Sequence, residues 1–466
     1  MTSTEPSGPT TSLDELAAQL REQLGEDAVP WVPDAGYGAD RAVRPEAGAR
    51  FVLVLPRDVD GVQTTMRLAS STGTPVVPRG AGSGLSGGAA ARDGVIVLGL
   101  ERLTTIREID LLDEIAVVEA GVITADLSTA LAPHGVFYAP DPASVAISTI
   151  GGNIATNAGG LHCAKYGVTR ESVLALEVVL ADGNLLRTGH RSIKGVTGLD
   201  LTQLLIGSEG TLAVVVAATV RIHPLPVARR TVLARFPSAA QAAAGVGAIS
   251  RSPVRPAATE LLDAGTLADI DAYTGARIAD GDNAMLLIEL DGYGIEEQAA
   301  DLVRTLTGAG AAVRVIEDET EAEKLWELRR SSRAAGGGRA RLGEDVAVPK
   351  SRLAEVLAEL EVIGRRHGVR TSVVAHAGDG NLHPGFSMPG VPEDPAAELP
   401  AAILDAADDL VRMALDLGGT ISGEHGIGSA KQHWLDLELS PDSRALQRRL
   451  KDAFDPQHLL NPGKAL

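Results

Sequence analysis

Hydrophobic and polar positions follow two rhythms along this chain. In residues 12–23, Leu13, Leu16, Ala17 and Leu20 fall on one helical stripe. Ser12 stands as the N-cap and Glu15 three residues on, which predicts a leading helix closed by a capping box. "FVLVLP" at 51–56 then reads as a buried strand, 58–73 as a helix, and "TPVVP" at 74–78 and "DGVIVLGL" at 93–100 as two more strands. Residues 172–189 form two strands around an Asp182-Gly183 turn, and 206–226 hold a long β-branched strand with a proline exit. From Arg229 the rhythm changes. Strands at 231–236, 258–262, 284–290, 311–318 and 344–349 alternate with helices at 238–250, 294–310, 321–335 and 351–368. An antiparallel sheet with helices on one face is the natural packing for that order. "TSVVAHAGDGNLHPGF" at 371–386 leaves a strand for a glycine turn, 402–419 and 444–456 are helices, and "NPGKAL" closes the tail. There is no internal repeat.

At 466 residues the chain exceeds what one hydrophobic core usually supports, so the pattern change near Pro226 is read as a domain boundary. Hydrophobic residues make up 44% and aromatics only 3%, a composition for tightly packed α and β layers. A formal charge of −19 argues against a nucleic-acid partner, because phosphate binding needs clustered Lys and Arg to displace counterions. The single cysteine, Cys163, excludes an internal disulfide and fits a reducing, cytoplasmic compartment. The first eleven residues are expected to be disordered. No apolar run approaches the roughly 20 residues of a bilayer span, which leaves only peripheral membrane contact.

Chemistry concentrates in four stretches. "RGAGSGLSGG" at 79–88 can turn successive backbone N–H groups toward one concavity and hold a phosphate or diphosphate. It is not a dinucleotide fingerprint of the strand-glycine-helix kind, because a strand follows it. "ISTIGGNIATNAGG" at 147–160 interleaves Gly151, Gly152, Gly159 and Gly160 with Thr149, Asn153, Thr156 and Asn157, a lining suited to a large flat polar ligand. "HAGDGNLH" and "SGEHGIG" place His376, His383, Glu424 and His425 among glycines. Two histidines and a carboxylate form the three-ligand set that leaves a coordination position open for substrate, with His425 remaining as a general base. A metal-free hydrogen-bonding cluster around a substrate carboxylate would leave the same residues.

These stretches, with "GSEGTL" at 207–212 and the terminal "NPGK", resemble the FAD-linked D-2-hydroxy acid dehydrogenases of the vanillyl-alcohol-oxidase flavoprotein superfamily, a group that includes D-lactate dehydrogenase and the FAD-binding subunit of glycolate oxidase. The resemblance runs from about Phe51 to the C-terminus. It implies an α+β fold: a two-part FAD-binding domain of the PCMH type, completed by the C-terminal tail, and an α+β cap domain built on an antiparallel sheet. The expected limits are 1–226 for the FAD domain, 227–415 for the cap and 416–466 for the returning segment that carries the catalytic histidine. It further implies that Pro78, Arg79, Gly80, Ala81, Gly82, Ser83 and Ser86 hold the cofactor from the first glycine loop. Pro140, Thr149, Gly151, Gly152, Asn153, Thr156, Asn157, Gly159, Gly160, Glu209 and Asn461 complete that set. His376, His383 and Glu424 would bind zinc or manganese, His425 would be the base, and Arg329 in "LWELRR" would join His376 and His383 on the substrate, pairing with its carboxylate.

Departures from the family pattern refine the expectation. The first glycine loop has no histidine, so the FAD is expected to be non-covalent. The hydroxyglutarate enzyme has a lysine and an asparagine where this chain has Gly343 and Gly385. That favours a small acid, D-lactate or glycolate, over a five-carbon diacid, with D-2-hydroxyglutarate dehydrogenase and the FAD-binding subunit of a multi-subunit glycolate oxidase as alternatives. The acceptor is left open among a quinone, a cytochrome and an electron-transfer flavoprotein, and a homodimer is compatible with the reading. Two rival classes are a metal-dependent hydrolase, which leaves the glycine stretches unexplained, and a non-catalytic subunit of a flavin complex.

Overall fold

The computed structural model describes residues 11–43, 49–280, 283–332, 337–394 and 397–466. Except for Thr11, the segment expected to be disordered lies outside them. The chain forms two compact units: residues 1–159, 167–225 and 424–466 make the first, and 160–166 with 226–423 make the second. The chain therefore leaves the second unit at 423/424, eight residues later than the expected 415/416. A short segment inside the expected FAD domain also belongs to the second unit.

In the first unit, Ser12 and Glu15 close the capping box of the helix Leu13–Leu24, and Asp58 caps Val59–Thr72, which ends at the left-handed Gly73. Three strands form a parallel sheet in the order Phe51–Val54, Val95–Gly99, Val76–Arg79. The central strand is buried at every position, as expected of a parallel strand covered on both faces. The C-terminal tail is stitched to the edge strand: Val76 N–H donates to Leu459 O, and Asn461 N–H to Val76 O. A five-stranded antiparallel sheet runs Ile106–Asp110, Ile115–Glu119, Val214–Arg221, Val173–Val179, Leu185–Gly189. Gly183 makes the turn of its last hairpin with a left-handed backbone. Sequence reading missed the first two of these strands; the first, "IREID", carries its charges within the strand and shows no buried run.

The second unit is built on eight antiparallel strands. Seven lie in the order Ala312–Ile316, Arg229–Phe236, Ala284–Asp291, Ala258–Leu262, Arg370–His376, Asn381–Ser387, Arg341–Gly343, and Val346–Ala347 also pairs with Asn381–Ser387. Helices cover both faces, not one. Helices Ala239–Arg251, Ile295–Gly308 and Leu353–His367 pack together, the first with Gly245 against the ring of Phe236. Leu233, three residues earlier and so on the opposite face, shares a core with Leu267 and Ile270 of Ala264–Thr274 and with Leu325 and Trp326 of Glu319–Ser331. Ala264–Thr274 was not foreseen, since Gly265 and Thr266 weaken its pattern; Asp263 caps it and Gly275 ends it. The helix expected to run to residue 335 stops at Ser331, and 333–335 lie outside the described residues. Residues 160–166 are fastened by Lys165 Nζ and Tyr166 Oη on the buried carboxylate of Asp291 and by His162 on Glu289. Among the described residues no helix is long and apolar enough to cross a membrane.

Candidate active site

The seven-residue spacing of the two histidines is explained by a hairpin. Strands Arg370–His376 and Asn381–Ser387 pair His376 with Asn381 and Val374 with His383, so by alternation both imidazoles leave the same face. The turn requires glycine at 380, where φ is +95° and a Cβ would fall 2.1 Å from Val348 O. The two rings stand edge to face with centroids 5.1 Å apart.

Next to the hairpin strand, Glu260 sits directly opposite His376 and is fully buried. His376 Nδ1 lies 2.8 Å from its Oε1, while Arg329 donates to Oε2 from Nε at 2.7 Å and Nη2 at 2.6 Å. Burial pushes the carboxyl up, but the charges and hydrogen bonds of His376 and Arg329 outweigh it and hold the group below the usual glutamate range. With Nδ1 facing the carboxylate, Nε2 is the nitrogen a metal would take, the arrangement by which outer carboxylates orient ligating histidines. Arg329 is thus engaged with Glu260, which leaves Nη1, 3.4 Å from Ser332 Oγ, as its remaining edge.

A second carboxylate, the fully buried Asp345, accepts from Asn381 Nδ2 at 2.6 Å and Ser422 Oγ at 2.8 Å. Gly423 packs so closely on the amide of Asn381 that a Cβ there would fall 2.0 Å from its nitrogen. The entry to "SGEHGIG" is therefore held against the histidine hairpin. Neither Glu260 nor Asp345 stood out in the sequence; each is one acid in a short strand or loop and gains meaning only from partners far along the chain.

In the first unit the two glycine stretches meet. A Cβ on Gly80 would fall 2.4 Å from Thr149 Oγ1 and 3.6 Å from Gly152 Cα. The second stretch carries a helix, Ile150–Thr156, capped by Thr149 and ended by left-handed Asn157. Its polar side chains are engaged within the protein, and Asn153 is buried. Asn153 donates to Thr124 Oγ1, Thr156 to Gly152 O, and Asn157 Oδ1 accepts from Arg170 N–H. The Arg79 guanidinium is likewise engaged, on the carbonyls of Ala39 and Gly36. What these stretches can offer a cofactor is chiefly close-approaching backbone, which suits a long flat ligand bearing a diphosphate. Pro78 packs against Gly210, Pro140 is buried, Ala81 is exposed and Ser83 half-buried. Gly159 ends the first unit's segment and Gly160 opens the second's.

Ser86, Glu209, Asn461 and His425 also come together in the first unit. Ser86 Oγ donates to His425 O, and the Glu209 carboxylate accepts from Ile427 N–H and Gly428 N–H. Burial pushes the Glu209 carboxyl up, against the pull of those two amides. Asn461 Nδ2 donates to Gly88 O and Glu209 O, whereas its buried Oδ1 has no partner among the described residues, an open acceptor beside the first glycine loop. His425 Nε2 lies 3.9 Å from Glu424 Oε1.

Comparison with known proteins bears on the family and the fold. The family model described as "FAD binding domain" matches residues 51–189, and "FAD linked oxidases, C-terminal domain" matches 225–465. The chain is 39% identical to glycolate oxidase subunit GlcD of Bacillus subtilis, over 88% of each chain. It is 34% identical to a D-lactate dehydrogenase of Archaeoglobus fulgidus, over 96% of this chain and 98% of that one. Among solved structures it resembles p-cresol methylhydroxylase with substrate bound (TM-score 0.77, 18% identity, 99% and 98% covered) and the 4-ethylphenol oxidase of Gulosibacter chungangensis (TM-score 0.76, 19% identity, 99% and 98% covered). At that identity the structural likeness speaks for the fold.

Proposed function

The chain belongs to the FAD-linked oxidases, and from that premise we propose that it oxidises a small D-2-hydroxy acid, D-lactate or glycolate, to the 2-oxo acid. The observation that carries this reading is Glu260. One buried carboxylate orients His376, as a metal ligand requires, and Arg329, as a carboxylate-binding guanidinium requires. Those are the two groups a 2-hydroxy acid would need at its hydroxyl and carboxyl ends.

His376 and His383 are nitrogen donors of the type zinc and manganese sites use. Glu424 is the third ligand in this reading, the carboxylate that completes the set. When bound, FAD supplies the hydride-accepting centre at N5, and the divalent ion supplies the Lewis acid that lowers the hydroxyl pKa. Arg329 holds the substrate carboxylate through Nη1. His425 removes the hydroxyl proton, and its backbone is anchored by Ser86.

The size of the acid follows from Gly343 and Gly385. They pair directly across two strands, on the face that bears His383. A Cβ on Gly343 would meet nothing within 4 Å. No side chain at these two positions reaches toward a distal carboxylate, which supports a short substrate. The GlcD relatives favour a second reading, in which this chain is the FAD-bearing subunit of a larger oxidase. The quinone, cytochrome or electron-transfer flavoprotein that reoxidises it would then be reached through partner subunits.

Stopped-flow mixing with D-lactate, glycolate, D-malate and D-2-hydroxyglutarate tests the proposal. D-Lactate or glycolate should bleach the flavin fastest, and His425→Ala should keep its FAD yet fail to be reduced. Bleaching of that variant at the wild-type rate would overturn the role of His425.

A further inference from the structure

The loop that carries His425 is held by more than its own glycines. Residues 427 and 428 aim consecutive N–H groups at one carboxylate, Glu209, at 2.7 and 2.8 Å, forming a small anion nest filled by the protein itself. Ser86 grips the same loop from another side. Its Oγ donates to His425 O at 3.0 Å, and its carbonyl accepts from Ser429 N–H and Ala430 N–H, both at 2.9 Å. Ala465 N–H adds a bond to Gly428 O at 2.9 Å.

The glycines of the motif serve this clamp. A Cβ on Gly426 would sit 3.0 Å from the Glu209 carboxylate, and one on Gly428 only 2.0 Å from Ser86 O, both at left-handed backbone. Glu209 is itself left-handed, with φ of +51°, an uncommon conformation for a side chain of its size. It is also buried, and its carbonyl is tied down by Asn461. This strained, buried residue is held by three other segments of the chain: 427–428 on its carboxylate, Asn461 on its carbonyl, and Ala155, whose carbonyl accepts from its N–H. Such a group persists where the surroundings over-determine it, and these outliers cluster at working sites.

We propose that Glu209 is a positioning residue: with Ser86 it fixes the backbone of 425–430 and so sets where the His425 imidazole stands, and it is not a cofactor contact. The proposal rests on the reading of His425 as the base. Both residues lie in stretches whose sequence suggested cofactor binding, so the two roles make opposite demands on the same variants.

The test uses the FAD-loaded full chain with Glu209→Gln, Ser86→Ala and the double variant. Glutamine keeps the shape but turns an N–H₂ toward one of the two amides. In Glu209→Gln, hydrogen exchange at 427 and 428 should accelerate. The limiting rate of flavin reduction should fall roughly 100-fold, the loss expected from displacement of a reacting group by about 1 Å. FAD content and the KM for the acid should stay near wild type. Ser86→Ala should lose less, and the double variant should be no slower than Glu209→Gln, because both substitutions release one loop. Loss of FAD from Glu209→Gln with an unchanged rate per bound flavin would overturn the proposal in favour of a cofactor contact, as would unchanged exchange at 427 and 428. The exchange measurement reads the clamp directly, so it stays decisive even if His425→Ala shows that another residue takes the proton.

Discussion

Replacing Glu260 by glutamine should dismantle the polar centre of the second unit while hardly changing its volume. The carboxylate is fully buried and receives Arg329 Nε at 2.7 Å, Arg329 Nη2 at 2.6 Å and His376 Nδ1 at 2.8 Å. Glutamine offers one acceptor oxygen to these donors, turns an N–H₂ toward the others, and leaves the buried guanidinium without a counter-charge. Breaking a buried ion pair by removing one partner costs about 3–5 kcal/mol. Urea denaturation at neutral pH, followed by far-UV circular dichroism, should show a loss of that size. The pH dependence has a definite sign. The folded pKa of Glu260 lies below its ordinary value of 4.5, so the stabilisation is fully present above that value and is lost as pH falls through the lower folded one. The gap between wild type and Glu260→Gln should therefore narrow only under acid conditions. With Nδ1 of His376 no longer anchored, affinity for zinc or manganese should drop about 10–100-fold in a chelator competition. A variant with wild-type urea midpoint and wild-type metal affinity would refute the reasoning.

Gly80→Ala introduces a Cβ 2.4 Å from Thr149 Oγ1, the atom that caps Ile150–Thr156; FAD should bind at least about tenfold more weakly, roughly 1.4 kcal/mol, as read from the flavin-to-protein absorbance ratio. Lys464, buried against the carbonyls of Gly88 and Ala90, is pushed down to about 8 from 10.5. Between those values the folded protein sheds this proton first, so wild-type stability relative to Lys464→Met should rise with pH by about 3 kcal/mol in all; a pH-independent difference would contradict it. Gly343→Lys combined with Gly385→Asn should raise kcat/KM for D-2-hydroxyglutarate relative to D-lactate. Gly343 has open space around its Cβ position, and Gly385 requires Ser372 Oγ, 3.1 Å away, to yield slightly. An unchanged preference would mean the distal end of the acid does not reach this part of the sheet.

The sequence alone determined the family and the cofactor class and singled out the histidines as candidates, because glycine runs and clustered ligands are local signals whose chemistry depends on residue type and spacing. It also determined most of the elements whose hydrophobic period was clean, from the capped helix Leu13–Leu24 to the hairpin of His376 and His383. It assigned no element to 147–160, since two glycines and polar tips mask the helix Ile150–Thr156; Thr149 caps that helix from within the stretch, and the partner of Asn153, Thr124, comes from elsewhere. Only the tertiary structure decided what Glu260, Asp345 and Glu209 do. Each is one acid in its own segment, and each becomes a buried acceptor only where residues 36 to 219 positions away supply the donors. A buried carboxylate is tolerated when such partners converge on it, and that convergence is a property of the fold, with no counterpart in any local pattern.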